Sequence, residues 1–173
     1  MTYDRIMIGY KSVEIAGVKD AIKELRKIDP ELRKQFNKDA KAVVKPVVDE
    51  AKGSYPDVVL SGMSRAWTQN GVQKFPYSAR KARSGVKLKV DTRGKAVSII
   101  NVQQNNPAGE IIDMAGRGST NSRRGQIFVQ NLNNKVGRPS RFMWPSYEKH
   151  ETEVTAAMVN LIDEVMTRVA KAI

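Results

Sequence analysis

Few side chains in this sequence could carry out chemistry. His150 is the only histidine and cysteine is absent, so neither a thiolate metal site nor a thiol nucleophile can form. Serines are numerous, but none lies in a Gly-x-Ser-x-Gly turn, and His150 is the only imidazole available as a base. His150 falls within a helical pattern rich in glutamate, and we interpret it as a surface residue of that helix.

Glu110 and Asp113 form an acid pair whose spacing suggests chemistry, because residues three apart can share one helix face. Such a pair could contribute to the divalent-metal site of a hydrolase or nuclease, or it could be part of a solvated face. The segment Gly116-Arg117-Gly118-Ser119 lacks the lysine and the spacing of a phosphate-binding loop. We therefore expect that the protein is not an enzyme and binds no cofactor or metal. A metal-dependent hydrolase or nuclease is kept as the third hypothesis.

The net charge of +12 lies in the middle of the chain. Residues 58–147 contain fifteen lysines and arginines but only three acids, whereas the two flanks together are balanced. A basic middle between balanced flanks suggests a surface that binds a polyanion or an acidic protein partner. For residues 116–125 the alternative is a disordered basic loop that only increases solubility.

Eight cations of this middle are the candidate contacts to a polyanion or an acidic partner. Aromatic side chains and cations are mixed between Lys74 and Arg83, and such a mixture can stack on bases while holding phosphates. Further cations lie on an alternating strand pattern and in the glycine-rich segment that follows it. The eight are Arg80, Lys81, Arg83, Lys87, Lys89, Arg117, Arg123 and Arg124.

The flanks predict helices after an opening strand. Alternating apolar residues between positions 4 and 15 predict a short strand with a bend at Gly9. Helical spacing predicts one amphipathic helix from near Gly17 and a second from Asp29, which Pro46 should kink or split. A final helix from about Ser146 to the C-terminus has apolar residues at a 3–4 spacing and charges that suit its dipole.

The middle predicts a hairpin and a polar arm. Alternation over residues 86–91, a turn at 92–95 and apolar residues within 96–102 predict two paired strands. Residues 108–115 predict a short helix or a further strand. Residues 116–125 combine Gly, Ser, Asn and Arg without an apolar side chain, and they predict a mobile arm.

These patterns predict one α+β domain over residues 1–173. We expect the N-terminal amphipathic helices and the long C-terminal helix to pack on a small antiparallel sheet, with 116–125 as a basic loop within the domain. Met1–Lys11 has no apolar stretch of signal-peptide length, and no segment could span a bilayer, so we expect no membrane contact.

The stretch from Gly137 to Tyr147 joins the basic middle to the last helix. Pro139 and Pro145 should bias the residues before them towards extended conformations. Large aromatics beside a cation are unfavourable in water. They could be tucked into the core beneath the last helix, or they could face a partner, since Trp and Arg are frequent interface anchors. The candidate interface or structural anchors are Ser61, Gly62, Arg141, Phe142 and Trp144.

The order of these elements resembles the neck, or tail-completion, family of long-tailed bacteriophages. The resemblance covers nearly the whole chain. It follows an apolar–Gly–apolar strand end, a long helix after Asp29-Pro30-Glu31-Leu32, and a hairpin before the closing helix. Its best motifs are the turn Pro56…Ser61-Gly62-Met63 and the stretch Arg141-Phe142-Met143-Trp144-Pro145. The chain departs from the family pattern in its Gly/Ser/Asn/Arg insert after Ala115.

The resemblance implies a virion protein of the head–tail junction that assembles as a homo-oligomeric ring around the DNA channel, without catalysis. Its partners would be copies of itself and neighbouring neck and tail proteins, with non-specific contact to genomic DNA as an open question. Ser61, Gly62, Arg141, Phe142 and Pro145 match the family pattern and would be structural. The alternative function is a basic nucleic-acid-binding module, for which affinity should fall steeply with salt.

Overall fold

The computed structural model describes residues 3–8, 11–16, 23, 30–60, 63, 67–69, 72–74, 76–90, 98–118 and 122–172. The described residues form an α+β fold, as the sequence predicts. The strands are β1 (Tyr3–Ile8), β2 (Lys11–Ala16), β3 (Trp67–Gln69), β4 (Val72–Lys74), β5 (Val86–Val90) and β6 (Ser98–Gln104). The helices are α1 (Pro30–Ser54), α2 (Ala79–Gly85), α3 (Pro107–Met114), α4 (Arg123–Val136) and α5 (Met143–Ala172).

A four-stranded sheet has the order β2-β1-β6-β5, and β3 and β4 form a separate antiparallel pair. The predicted hairpin is confirmed, since β5 and β6 are antiparallel with Leu88 opposite Val102. The N-terminal pattern forms the two antiparallel strands β1 and β2 rather than one bent strand. The prediction of a purely antiparallel sheet is wrong at one pair, because β1 lies parallel to β6. Sequence alternation carries no information on which distant strand will be the neighbour.

The core lies where α1 and α5 pack against each other and against β5 and β6. Phe36, Val44 and Val47 of α1 are buried. They meet a buried stripe of α5, which includes Val154 and Met158. The alternating side chains of β5 point one apolar face of the sheet into this layer. The further buried residues of the same core include Val86, Ile100, Val102 and Val165.

Helix α1 is not split at Pro46, and the predicted extended conformation at Trp144 is wrong; the two prolines are accommodated for different reasons. Pro46 lies inside α1, which continues unsplit to Ser54. Its buried neighbours Val44, Val47 and Val48 give the helix packing that offsets one lost backbone bond. Pro145 lies in the first turn of α5, where backbone N–H groups need no helical partner, so Trp144 is helical and α5 begins earlier than predicted.

The predicted arm at 116–125 is shorter than expected. Ser122 caps α4 by accepting a hydrogen bond from the Gly125 N–H at 2.9 Å, so residues 123–125 form the first turn of a helix. Residues 108–114 of the predicted 108–115 segment lie in α3 (Pro107–Met114), capped by Asn106, which resolves the choice between helix and strand. The predicted helix from near Gly17 lies almost wholly outside the described residues.

Candidate functional site

Arg141 ties α3, α4 and α5 together. Its guanidinium donates to the carbonyl oxygens of Ile112 at 2.8 Å, Asp113 at 3.1 Å and Ala115 at 3.0 Å, at the C-terminal end of α3. It also donates to Asn133 Oδ1 of α4 at 2.7 Å. A cation at this end of a helix satisfies carbonyls that have no helical partner and complements the helix dipole. The side chain is 8% exposed, so Arg141 is an internal anchor and is closed to a partner.

Asp113 connects two of the same elements, α3 and α5, as a hydrogen-bond acceptor, whereas Arg141 connects them as a donor. Its carboxylate accepts a hydrogen bond at 2.7 Å from the Phe142 N–H, at the start of α5, and its own carbonyl accepts from the Ser140 N–H at 2.9 Å. Burial raises the pKa of Asp113, and backbone N–H groups of residues 141–143 and the charge of Arg141 oppose this rise. Burial also lowers the pKa of Arg141, against the favourable charge of Asp113. We call Asp113 and Arg141, with their backbone partners, the junction.

The remaining anchors divide between the core and its edge. Phe142 is buried and its ring centroid lies 4.7 Å from that of Tyr55. Trp144 is half-buried beside Tyr147, and its indole N–H donates to Glu148. The first interpretation of this stretch, as a segment tucked into the core, is therefore confirmed for Phe142. Ser61 and Gly62 lie outside the described residues.

The acid pair Glu110 and Asp113 is not arranged as a metal site. Both belong to α3 as expected, but the Asp113 carboxylate is buried and bonded to backbone N–H groups, whereas Glu110 is only half-buried. Among the described residues, no group of three or more histidine and acidic side chains could hold a metal ion. The likeness to a hydrolase site therefore rests on spacing along the chain alone.

Arg83 differs from the other candidate cations, because it holds the turn after α1. Its Nε and Nη2 atoms donate to the Tyr55 carbonyl at 3.1 and 2.8 Å, and Nη2 lies 3.0 Å from the Asp57 carboxylate. Tyr77 supports the same turn by donating its hydroxyl to the Pro56 carbonyl. The Arg83 guanidinium therefore already has hydrogen-bond and ion-pair partners within the chain.

The outer face of the sheet carries two lysines and two amides, which we call the basic face. Lys87 and Lys89 of β5 are exposed and lie directly opposite Gln103 and Asn101 of β6. Side chains opposite each other on one sheet face are about 5 Å apart at Cβ, and the two lysines are separated by about 7 Å along the strand. Neither lysine forms an ion pair with another described residue, and both side chains are exposed.

The basic face continues into the helix that precedes β5. Arg80 and Lys81 are exposed on α2, whose chain passes into β5 at Gly85 without a loop. Gly85 is required there, since a Cβ atom would lie 2.0 Å from Gln104 Oε1. The passage from α2 into β5 is thus fixed. Four exposed cations follow one another within residues 80–89.

Arg117, Arg123 and Arg124 lie apart from these four, beside and within α4. All three are exposed, and Arg117 takes part in a further contact within the chain. Arg123 and Arg124 occupy the first turn of α4, where no acid is present to complement the positive end of the helix dipole. The eight candidates therefore fall into a basic face, an internal anchor at Arg83 and a second basic site on α4.

The two described acids of the middle region, Glu110 and Asp113, are less exposed than most of its cations. In the described residues between 76 and 141, every exposed charged side chain is a cation, because Glu110 is half-buried and Asp113 is buried. Sequence counting gave the excess of positive charge but not this segregation. A cavity of about 250 Å³ lies beside the basic face, and its lining includes Asn101, Gln103 and Asn105 together with the acids Glu110 and Asp113. These amides were missed by sequence reasoning, and their adjacency to the lysines follows only from the β5–β6 register.

A scan against protein-family models, a search of curated proteins and a search of solved structures each gave no match. In the part of the chain that the structure describes, no helix is both long enough and apolar enough to cross a membrane.

Proposed function

We propose that this chain is a structural virion protein of the phage head–tail junction, acting in neck formation or tail completion. It would assemble as a homo-oligomeric ring around the DNA channel. The family resemblance in the order of elements is the starting point. The observation that carries the proposal is the exclusively cationic exposed charge of the described middle, set on a subunit whose motif residues are used internally.

This division of roles suits a ring subunit. Residues of the Arg141-Phe142-Met143-Trp144-Pro145 motif join α3 to α5 and keep the subunit rigid. The exposed cations on α2, β5 and α4 are then presented at fixed positions. In a ring, many copies would present them together, which multiplies the electrostatic field at a shared surface.

Two surfaces could receive this charge: the DNA in the channel, or acidic surfaces of adjacent neck and tail proteins. A wholly basic channel wall would hold the passing DNA tightly. We therefore place the basic face against an acidic neighbouring protein, and we treat contact with DNA as secondary.

The test is genetic and visual. A stop codon at Trp67 in the encoding phage should leave filled heads beside unattached or aberrant tails in electron micrographs of the lysate. A synonymous change at the neighbouring Thr68 codon is the matched control and should leave particles normal. Infectious particles of normal appearance from the stop-codon phage would overturn the proposal.

A nucleic-acid-binding module is the second candidate, favoured by the exposed Lys87 and Lys89 opposite Gln103 and Asn101. Binding driven by phosphate contacts falls with salt, with log K dropping by about 0.9 per neutralised phosphate on duplex DNA. Titration of the purified chain with duplex DNA at several salt concentrations measures this slope. A flat dependence, or no binding at low salt, would exclude this candidate.

A further inference from the structure

Helix α4 is poorly covered by its own chain. Of its fourteen residues only Leu132 is buried, while Phe128 and Val129 are half-buried and Ile127 is 49% exposed. A helix of this length owes most of its stability to packing of an apolar face. The C-terminal half is held by Asn133, which accepts from Arg141. The N-terminal half therefore presents a surface that a partner could cover.

The charge on this surface is of one sign. Helix α4 contains Arg123, Arg124 and Lys135 and no acid. The arginine pair, Arg123 and Arg124, lies one turn before Ile127, so the three residues share one face. Two cations at the positive end of a helix dipole are unfavourable, and an acidic partner there would offset this cost. The surface therefore fits a partner that combines apolar side chains with a carboxylate.

The outer side of α5 has this composition. Val159 and Met166 are 42% and 41% exposed, and they lie seven residues apart, which places them two turns apart on one face. Asp163 is exposed between them. The opposite side of α5 is the buried stripe that packs on α1. The outer stripe thus offers two apolar side chains separated by one carboxylate.

We propose that α4 of one copy docks on the outer stripe of α5 of a second copy. Ile127 would pack between Val159 and Met166, and the arginine pair would reach Asp163. Because the two surfaces differ, the contact can repeat head-to-tail from copy to copy and close into a ring. This inference rests on the ring of the proposed function, for which it names the contact between subunits.

The absence of cysteine makes a direct test clean. Two single variants of the full chain, Ile127→Cys and Met166→Cys, are purified separately, mixed at high concentration and oxidised. The expected result is a disulfide-linked dimer in the mixture and only background dimer in either variant alone. Ser84→Cys, at an exposed position outside α4 and α5, replaces Met166→Cys as the control for random collision. Linkage of Ile127→Cys to itself, or equal linkage to the control, would overturn the contact.

Charge-reversal variants distinguish the specific α4–α5 contact from non-specific association. Adding Arg123→Glu and Arg124→Glu to the Ile127→Cys chain should reduce the cross-link at least tenfold. Adding Asp163→Arg to the Met166→Cys chain should restore most of it. Reversal without rescue would reject the assigned pairing.

Light scattering on the unmodified chain distinguishes failure of this inference from failure of the ring. Oligomers without the α4–α5 cross-link would reject the contact and leave the ring proposal standing. A chain that stays monomeric in concentrated solution and gives no cross-link would reject the contact. The stop-codon phage would then test the proposed role at the phage head–tail junction independently.

Discussion

The junction around Arg141 and the basic face around Lys87 use cationic side chains in opposite ways. Arg141 is buried, and its donors are occupied by backbone carbonyls and Asn133. Lys87 and Lys89 are exposed and opposite neutral amides. The same type of charge therefore fixes three helices in one place and is exposed on the surface in the other. Removing a cation should cost stability at the junction and binding at the basic face.

The largest expected effect is that of Arg141→Ala. It would remove the guanidinium donors from the Ile112 and Ala115 carbonyl oxygens at the end of α3 and leave Asp113 without its nearby cation. We expect the free energy of unfolding to fall by about 3–5 kcal/mol. Urea denaturation measures the change, and Arg138→Ala, at an exposed arginine in the same segment, is the matched control. Equal effects of the two substitutions would show that the junction contributes no more than the surface.

Asp113 should contribute through its hydrogen bonds more than through its charge. Asp113→Ala removes the acceptor of the Phe142 N–H and should lower the free energy of unfolding by about 2–3 kcal/mol. Asp113→Asn keeps an acceptor oxygen and should cost clearly less. A loss in the Asn variant as large as in the Ala variant would show that the charge itself is required.

The pH dependence of stability gives the sign of this charge effect. Because the pKa of Asp113 is raised from 3.8 in the folded chain, the folded state binds this proton more tightly than the unfolded state. Its contribution is fully favourable below pH 3.8 and is lost as the pH rises through the folded pKa. The stability of the wild type minus that of Asp113→Asn should therefore decrease as pH rises across this window. An increase over the same range would contradict the prediction.

Gly116 allows a test of how α4 is attached to the junction. Its φ is +94°, and a Cβ atom there would lie 2.5 Å from Val129 Cγ1. Gly116→Ala should therefore lower the free energy of unfolding by about 1–3 kcal/mol. Gly118→Ala is the matched control, since no atom lies within 4 Å of its Cβ position. An equal and small change in both would show that α4 tolerates displacement.

The smallest effect on stability is expected at the basic face. Lys87→Ala with Lys89→Ala should change the free energy of unfolding by less than about 0.5 kcal/mol for each substitution. If DNA is bound there, the slope of log K against log salt should flatten by about 0.9 for each lysine that neutralises a phosphate. Lys34→Ala with Lys45→Ala is a charge-matched control, because these lysines pair with Glu31 and Asp49 on α1. Equal changes of slope would indicate a net-charge effect.

Local patterns predicted the elements that depend on neighbouring residues. The alternation of residues 86–90 gave β5, and the 3–4 spacing after Ser146 gave most of α5, because burial of one face imposes these periods. The stretch around Phe142 was rightly expected to be pinned. The contacts of Arg141 with α3 and α4 could not be predicted, since they join residues that are distant along the chain.

Helix α4 as a whole was missed for a physical reason. Residues 116–125 contain no apolar side chain, so their composition is that of a loop. The signal that was available is Ser122, a favourable N-cap, followed by apolar residues at 127–129 and 132. The expectation that Lys87 and Lys89 lie on the exposed side of a strand is confirmed. Their pairing with Asn101 and Gln103 depends on register, which a tally of residues does not contain.

Because β1 pairs with the distant β6, the sheet cannot be completed until long after β1 has been synthesised. About ninety residues separate the end of β1 from the start of β6, and ribosomes add about 5–20 residues per second. The N-terminal strands therefore leave the ribosome roughly 5–20 s before the strand that completes their sheet. A two-stranded hairpin alone is marginally stable, and contacts this distant slow folding. During that interval the open edge of β1 is the part of the nascent chain most exposed to wrong pairing, and a chaperone that binds extended segments would act there first.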